Sequence, residues 1–289
     1  MEIYRDEEKC NNCMRCVEDC VAGVWRNVDG TPVALHPELC NLCSHCIAVC
    51  REHAIIHTGM ADKGEVAPVD EDMLKPDVYA EIVKTRRSIR RYRKKAVDRE
   101  TIEAVLDLAR FSPTASNSQH VDYIVVTDKK RLQAASARVF SWGVRLYRWS
   151  ASAPGKVVFR LLGHTSVVGK LNRYLGGMGH YIEQTKAGRD YILHNAPVLI
   201  LVCAPTGAAF AAENTNIAST NIMNHAHSLG LGTCYIGFLT LMLKRSRKLR
   251  RLLQVSECRT VYASIVMGYP VYAHARTVHR KSPCVTWVE

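Results

Sequence analysis

Two cysteine runs of identical spacing, Cys10-x-x-Cys13-x-x-Cys16-x-x-x-Cys20 and Cys40-x-x-Cys43-x-x-Cys46-x-x-x-Cys50, constrain this chain more than any other feature. Three thiols set two residues apart can close around one face of a compact inorganic group in a tight loop. The device occurs twice, without error. Eight of the twelve cysteines lie in these runs, while Cys203, Cys234, Cys258 and Cys284 are scattered singly over the remainder. A cysteine-dense head on a cysteine-poor body predicts two domains, a metal-binding one at 1–60 and a larger one at 77–289, with a connector at 61–76.

The competing assignment is two zinc sites, each held by four of these cysteines. Zinc modules use separated Cys-x-x-Cys pairs, and a third cysteine at the same interval favours 4Fe-4S clusters instead. With Val21-Ala22-Gly23-Val24 and Arg51-Glu52-His53-Ala54-Ile55 behind the fourth cysteines, the first sixty residues resemble the bacterial two-cluster ferredoxins. In that family the fourth cysteine of each run ligates the other cluster. The resemblance therefore implies one cluster on Cys10, Cys13, Cys16 and Cys50, and another on Cys40, Cys43, Cys46 and Cys20. The family's usual proline after each fourth cysteine is replaced by Val21 and Arg51. His45 and His53 are read as bystanders. Clusters of this type pass one electron at a time, so the head is expected to act as a wire and the reaction to occur elsewhere.

The N-terminus carries acidic residues where a secretory signal would carry a basic and then an apolar stretch. The longest apolar run, 196–205, is half of the roughly 20 residues that span a bilayer as a helix. A soluble, cytoplasmic protein without membrane partners is expected, in a compartment where clustered thiols serve metals rather than disulfides. The net charge of +12 is uneven: residues 1–60 carry five Lys/Arg against nine Asp/Glu, a net of −4, so the remainder carries +16. Such a basic surface attracts acidic proteins, the chain's own head among them, and anionic ligands.

The connector is polar, with Gly64, Pro68, Pro76 and the acidic residues Asp62, Glu65, Asp70, Glu71 and Asp72. Beyond it, Val78, Ile82 and Val83 predict one face of a short helix. Asp98 reads as the N-cap of a helix lined by Ile102, Val105, Leu106 and Ala109 and ending near Ser112-Pro113. Strands are predicted at 123–126, 198–202, 233–236 and 260–266, with helices at 215–229, closed by Gly230, and 245–253. Residues 131–190 show no clean period. Helices and strands mix without regular alternation, which predicts an α+β fold. No glycine-rich dinucleotide fingerprint or Walker loop is present.

In Arg86-Arg87-Ser88-Ile89-Arg90-Arg91-Tyr92, an extended backbone would project Arg86, Ser88 and Arg90 to one side. Two guanidinium forks and a hydroxyl suit a phosphate dianion, although a basic run by itself equally describes a solvated face. Four further strings keep it company: Ser112-Pro113-Thr114-Ala115-Ser116-Asn117-Ser118-Gln119; Asn195-Ala196-Pro197; Gly230-Leu231-Gly232-Thr233-Cys234-Tyr235-Ile236-Gly237; and Gly268-Tyr269-Pro270. In this order the five resemble the nitroreductase family of FMN oxidoreductases, over nearly everything from about residue 80 onward.

The resemblance implies an α+β fold, a mixed sheet flanked by helices, in an intertwined homodimer with FMN at its interface. It implies that Arg86, Ser88 and Arg90, with Arg87 adjoining, hold the FMN phosphate. Asn117 and Gln119 would lie at the flavin ring or ribityl chain, main-chain groups of Ile236 and Gly237 at the ring's reactive edge, and Arg280 with Lys281 would complete the phosphate site. The family's proline after the glutamine is His120 here, either a proton donor or a surface residue. No protein group is assigned as catalytic. Tyr147, Tyr235, His227 and Cys234 are read as packing residues.

Together these features predict an iron-sulfur flavoprotein that draws electrons from reduced ferredoxin, flavodoxin or a similar acidic low-potential carrier. It would pass them to a small acceptor such as a nitroaromatic, quinone or conjugated enone. Two alternatives stand beside it. One is direct NAD(P)H reduction of the flavin, with the clusters carrying electrons outward. The other is a redox-sensing nucleic-acid-binding protein, suggested by residues 244–251 with Arg145, Arg148, Arg160 and Arg173. No recognised nucleic-acid module accompanies that run, and Leu249, Leu252 and Leu253 give it a packed side.

Overall fold

The structure, a computed structural model, describes residues 1–60, 66–161 and 176–289. Asp62, Gly64 and Glu65 of the connector, Arg173, and part of the aperiodic stretch lie outside the described residues, as does the Arg160 side chain. The chain divides into two compact units, one of Met1–Lys75 together with Thr114–Gln119, the other of Pro76–Pro113 and His120–Glu289.

The first unit is built on short elements. Strands β1 (Ile3–Arg5) and β4 (Ile55–His57) pair antiparallel, as do β2 (Trp25–Val28) and β3 (Thr31–Ala34), and the helices α1 (Arg15–Glu18) and α2 (His45–Val49) each follow a cysteine loop. Helices of four or five residues have no stability of their own, and the buried apolar residues amount to Ile3, Cys16, Val24, Trp25 and Ala54. The two halves repeat in geometry as in sequence. Asn12 and Met14 stand at φ 57° and 60°, and their counterparts Leu42 and Ser44 at 58° and 63°. The amides of Val24 and Ala54 donate to Cys20 Sγ and Cys50 Sγ, each at 3.3 Å. The segment Thr114–Gln119 joins this unit through Asn117, whose Nδ2 donates to the carbonyls of Asn41 at 3.1 Å and Leu42 at 2.8 Å.

The second unit rests on a four-stranded sheet in the order β5-β6-β8-β7, made of β5 (Asp122–Val126), β6 (Val198–Pro205), β7 (Gly232–Tyr235) and β8 (Arg259–Gly268). All of these pairs are antiparallel, and the parallel element is a single bridge from Ser88 to Thr233. Residues 198–204 of β6 are all buried, because both faces of the sheet are covered. Leu199, Leu201 and Cys203 enter a core that takes in Val139 of α5 (Lys129–Ala151), Leu243 of α9 (Gly237–Leu243) and Leu249 of α10 (Arg247–Leu252). Val198, Ile200 and Val202 point the other way, to Val105 of α4 (Arg99–Ala109) and Ile222 of α8 (Ala211–Ser228). Period-2 alternation thus feeds two cores from one strand.

Gly230, at φ 75°, ends α8 as expected; its amide donates to the His227 carbonyl and that of Leu231 to the Ala226 carbonyl, a Schellman closure. The short helix expected around Val78, Ile82 and Val83 is present, and the stretch without a readable period takes form. Most of the described part of 131–190 is helical, in α5, α6 (Ala153–Leu161) and α7 (Met178–Lys186). A helical period is present in buried Leu132, Ala135, Ser136 and Val139, but the arginines and aromatics that follow obscure it. The helix α3 (Pro76–Thr85) forms without burying any residue, and Val78, Tyr79 and Val83 are exposed.

Candidate functional site

In the first unit the eight cysteines of the twin runs line two cavities in crossed sets. One is walled by Cys10, Cys13, Cys16 and Cys50, with Asn11, Arg15 and Glu52 at its sides. The other is walled by Cys20, Cys40, Cys43 and Cys46, with Trp25, Asn41 and His45. Each cavity takes three thiols from one run and the fourth from the other. All eight are free thiols. Burial pushes the Cys16 thiol up to about 11, with Cys10 and Cys13 reinforcing the shift, and raises Cys46 as well, with Cys40 and Cys20 contributing. Such thiolates are costly unless a cationic group sits among them.

A single tetrahedral zinc ion would draw four sulfurs to about 3.8 Å of one another, given a Zn–S bond of about 2.3 Å. Among the described residues no group of three or more His, Cys, Asp or Glu side chains converges on a point in that manner. The thiols instead surround space. In the wall of the second cavity Trp25 is 1% exposed, and its Nε1 has no hydrogen-bond partner. That N–H stands beside the Cys46 thiol and opposes the rise that burial causes there, so the donor set and the indole suit a sulfur-rich polynuclear group.

In the second unit, residues 86–92 run beside the edge strand β7. Ser88 bridges Thr233, the Ile89 amide donates to the Thr233 carbonyl at 2.8 Å, and Tyr92 bridges Pro270. Ile89 is buried between exposed Ser88 and Arg90, while Arg86 and Arg87 are half-buried. The close approach depends on Gly232, where a Cβ would stand 2.5 Å from Ile89 Cγ1 and 2.8 Å from its Cβ. Arg86, Ser88 and Arg90 gather about the Cys234 thiol. Burial raises its pKa, and Arg90, Ser88 and Arg86 oppose that rise. Among the described residues none of Arg86, Arg87 and Arg90 has a carboxylate partner, and the buried Thr233 Oγ1 beside them is also unpartnered. Unpaired guanidinium groups next to an unsatisfied hydroxyl make an anion receptor.

Arg90 also lines a cavity of about 780 Å³, walled by Trp142, Tyr181, His194, Cys234, Ile236 and Gly237 among others. Its wall is largely aromatic and aliphatic with a few polar groups, the usual make-up of a site for a planar organic ligand. Trp142 and Tyr181 fall in the helices that the aperiodic sequence concealed. Asn117 and Gln119 belong to the first unit, where the Asn117 amide is engaged on Asn41 and Leu42. Arg280 and Lys281 are exposed in an irregular C-terminal segment and are not among the residues lining this cavity. His120 is exposed.

Two histidines of this unit resist protonation. Burial lowers the pKa of His194, with Arg90 adding to the effect against Asp190, and burial together with Arg86 lowers that of His227. The unfolded chain takes up these protons near pH 6.5 while the folded one does not, so stability is expected to decline as the pH falls below about 6.5. Melting temperatures between pH 8 and 5.5 measure this, and His227→Gln, which removes one such group, should flatten the slope.

A nitroreductase family model matches residues 83–269, and the chain belongs to the nitroreductase family. A Methanothermobacter thermautotrophicus protein provisionally named NADH dehydrogenase/NAD(P)H nitroreductase is 28% identical over 206 residues, 70% of this chain and 82% of the relative. Among solved structures, the fold matches a nitroreductase with bound FMN from Bacteroides fragilis, at a TM-score of 0.53 and 21% identity over 73% of this chain and 98% of that one. It also matches an FMN-bound nitroreductase from Desulfitobacterium hafniense, at 0.52 and 19% identity over 73% and 98%. Among the described residues no helix is long and apolar enough to cross a membrane.

Proposed function

We propose that this chain is an FMN-dependent oxidoreductase that receives electrons through two 4Fe-4S clusters and reduces a small organic acceptor. The observation that carries the proposal is the crossed lining of two cavities by the eight cysteines of the twin runs, the ligand sharing of two-cluster ferredoxins. The clusters would supply single electrons and the flavin would gather them in pairs for the acceptor. Cys10, Cys13, Cys16 and Cys50 would hold one cluster, and Cys40, Cys43, Cys46 and Cys20 the other. Arg86, Arg87, Ser88 and Arg90 would bind the FMN phosphate by charge-assisted contacts, and the aromatic cavity beside Arg90 would seat ring and acceptor while excluding water. Nitroaromatics, quinones and conjugated enones fit such a wall.

The exposed Val78, Tyr79 and Val83 of α3 are suited to burial in a homodimer. The excess of basic charge on the larger unit favours an acidic donor such as ferredoxin or flavodoxin, and a reducing, cytoplasmic setting suits thiol-held clusters. Direct reduction by NAD(P)H is a second reading, favoured by the name of the archaeal relative. A nucleic-acid role for residues 244–251 is weaker, because Leu249 is buried and Arg250 Nη2 donates to the carbonyls of Ser256 and Arg259.

Anaerobic purification with iron, acid-labile sulfide and flavin analysis tests the cofactors. About eight irons and one FMN per chain are expected; colourless protein containing zinc would end the proposal. Steady-state turnover with NADH, NADPH and reduced ferredoxin then identifies the donor, and rapid nicotinamide-driven turnover without the cluster cysteines would exclude the wire. Gly232→Ala, which forces Ile89 off β7, is expected to lower FMN retention about tenfold by ultrafiltration while leaving the iron content unchanged.

A further inference from the structure

The two cysteine-lined cavities are near-copies in backbone but differ in the N–H groups around them. Each receives one amide bond to its fourth cysteine, from Val24 to Cys20 and from Ala54 to Cys50. The cavity of Cys20, Cys40, Cys43 and Cys46 has more. The Leu42 amide donates to Cys40 Sγ at 3.4 Å. His57, 6% exposed, places Nε2 3.4 Å from the same sulfur, and the Gly59 amide donates to its Nδ1. An Nδ1 that accepts leaves the ring proton on Nε2, so His57 is fixed as a donor to Cys40. Trp25 stands beside Cys46 short of hydrogen-bond geometry, its Nε1–H buried and unpartnered in the cavity wall. The other cavity presents Pro32, which has no N–H, and the side chains of Arg15, Asn11 and Glu52, with Asn11 Nδ2 donating to Glu52 Oε1 at 3.1 Å rather than to a cysteine sulfur.

We propose that Trp25 and His57 make the two clusters unequal, so that the cluster held by Cys20, Cys40, Cys43 and Cys46 has the higher reduction potential and holds the first electron to enter the head. Hydrogen bonds to cluster sulfurs favour the more negative, reduced form and raise the potential. Trp25 and His57 are thus positioning residues that give the wire a direction. This rests on the cluster assignment above.

The experiment is an anaerobic potentiometric titration of the full chain, followed by electron paramagnetic resonance, with iron and sulfide measured on each sample. The wild-type chain should show two separated one-electron reductions. Trp25→Phe, which keeps an apolar ring, should lower only the upper potential, by about a tenfold change in its reduction equilibrium, about 59 mV for a one-electron couple. His57→Gln should shift the same potential in the same direction, and it carries the test alone if Trp25→Phe does not fold. Equal potentials in the wild type, no shift in a fully loaded variant, or a shift confined to the lower potential would each overturn the inference. Absence of iron and sulfide from the wild-type chain would instead remove the cluster assignment beneath it.

Discussion

Replacing Cys20 by alanine is expected to cost the chain the same cluster as replacing Cys46, although Cys20 belongs to the other run. Cys20 lines the cavity of Cys40, Cys43 and Cys46, whereas Cys50 lines that of Cys10, Cys13 and Cys16. Each single substitution should roughly halve the iron content, and the spectrum lost with Cys20→Ala should match that of Cys46→Ala and differ from that of Cys50→Ala. Removing one of four thiolates leaves a coordination position empty and the cluster without its full ligand set. Because metal binding and folding are coupled in so small a body, the melting temperature of this unit should fall with the iron. Uncrossed ligation predicts the opposite grouping, with Cys20→Ala resembling Cys10→Ala. Iron analysis and anaerobic spectra on the four variants decide between them.

Loss of the flavin is the second large effect. Arg90→Ala should weaken FMN binding by roughly ten- to a hundredfold, since a hydrogen bond to a charged group contributes about 1.5–3 kcal/mol. Arg90→Glu should weaken it further, because the new carboxylate opposes a phosphate dianion next to Arg86 and Ser88. Arg86→Ala should have a similar effect. Equilibrium dialysis against FMN reads the affinity, and iron content should stay at the wild-type level in every case. If Arg90→Glu retains stoichiometric flavin, the phosphate is held elsewhere, and Arg280 and Lys281 become the groups to replace.

What the sequence disclosed depended on how locally each feature is encoded. The cysteine strings and their repeated spacing are set within a few residues, so they could be read directly. The strands β6 and β8 announce themselves through apolar runs, and α8 through the glycine that closes it. Helix α5 escaped notice because its buried residues are confined to its first three turns, after which Trp142 and Leu146 face a cavity rather than a core. A helix that lines a hollow need not carry a full apolar stripe. The outward apolar residues of α3 reversed an ordinary expectation: Val78 and Ile82 have helical spacing, yet Val78 stays exposed and no residue of the helix is buried. The attachment of Asn117 to the cysteine loop links residues more than seventy positions apart, and no local pattern announces such a contact. The segment 86–92 was legible as basic and extended, but its closeness to β7 follows from Gly232, a position that reads as an ordinary turn glycine until Ile89 is placed against it.

Met14 in one cysteine loop and Leu42 in the other adopt left-handed backbone. For side chains of this size the conformation costs about 1–2 kcal/mol apiece, a sizeable share of the 5–15 kcal/mol that stabilises an average domain. A body with so few buried apolar side chains has little to set against it. On the proposed function the polypeptide cannot wait as an empty receptacle. It would acquire its shape and its inorganic cargo in one event, and iron supply during biosynthesis would decide how much of the protein survives.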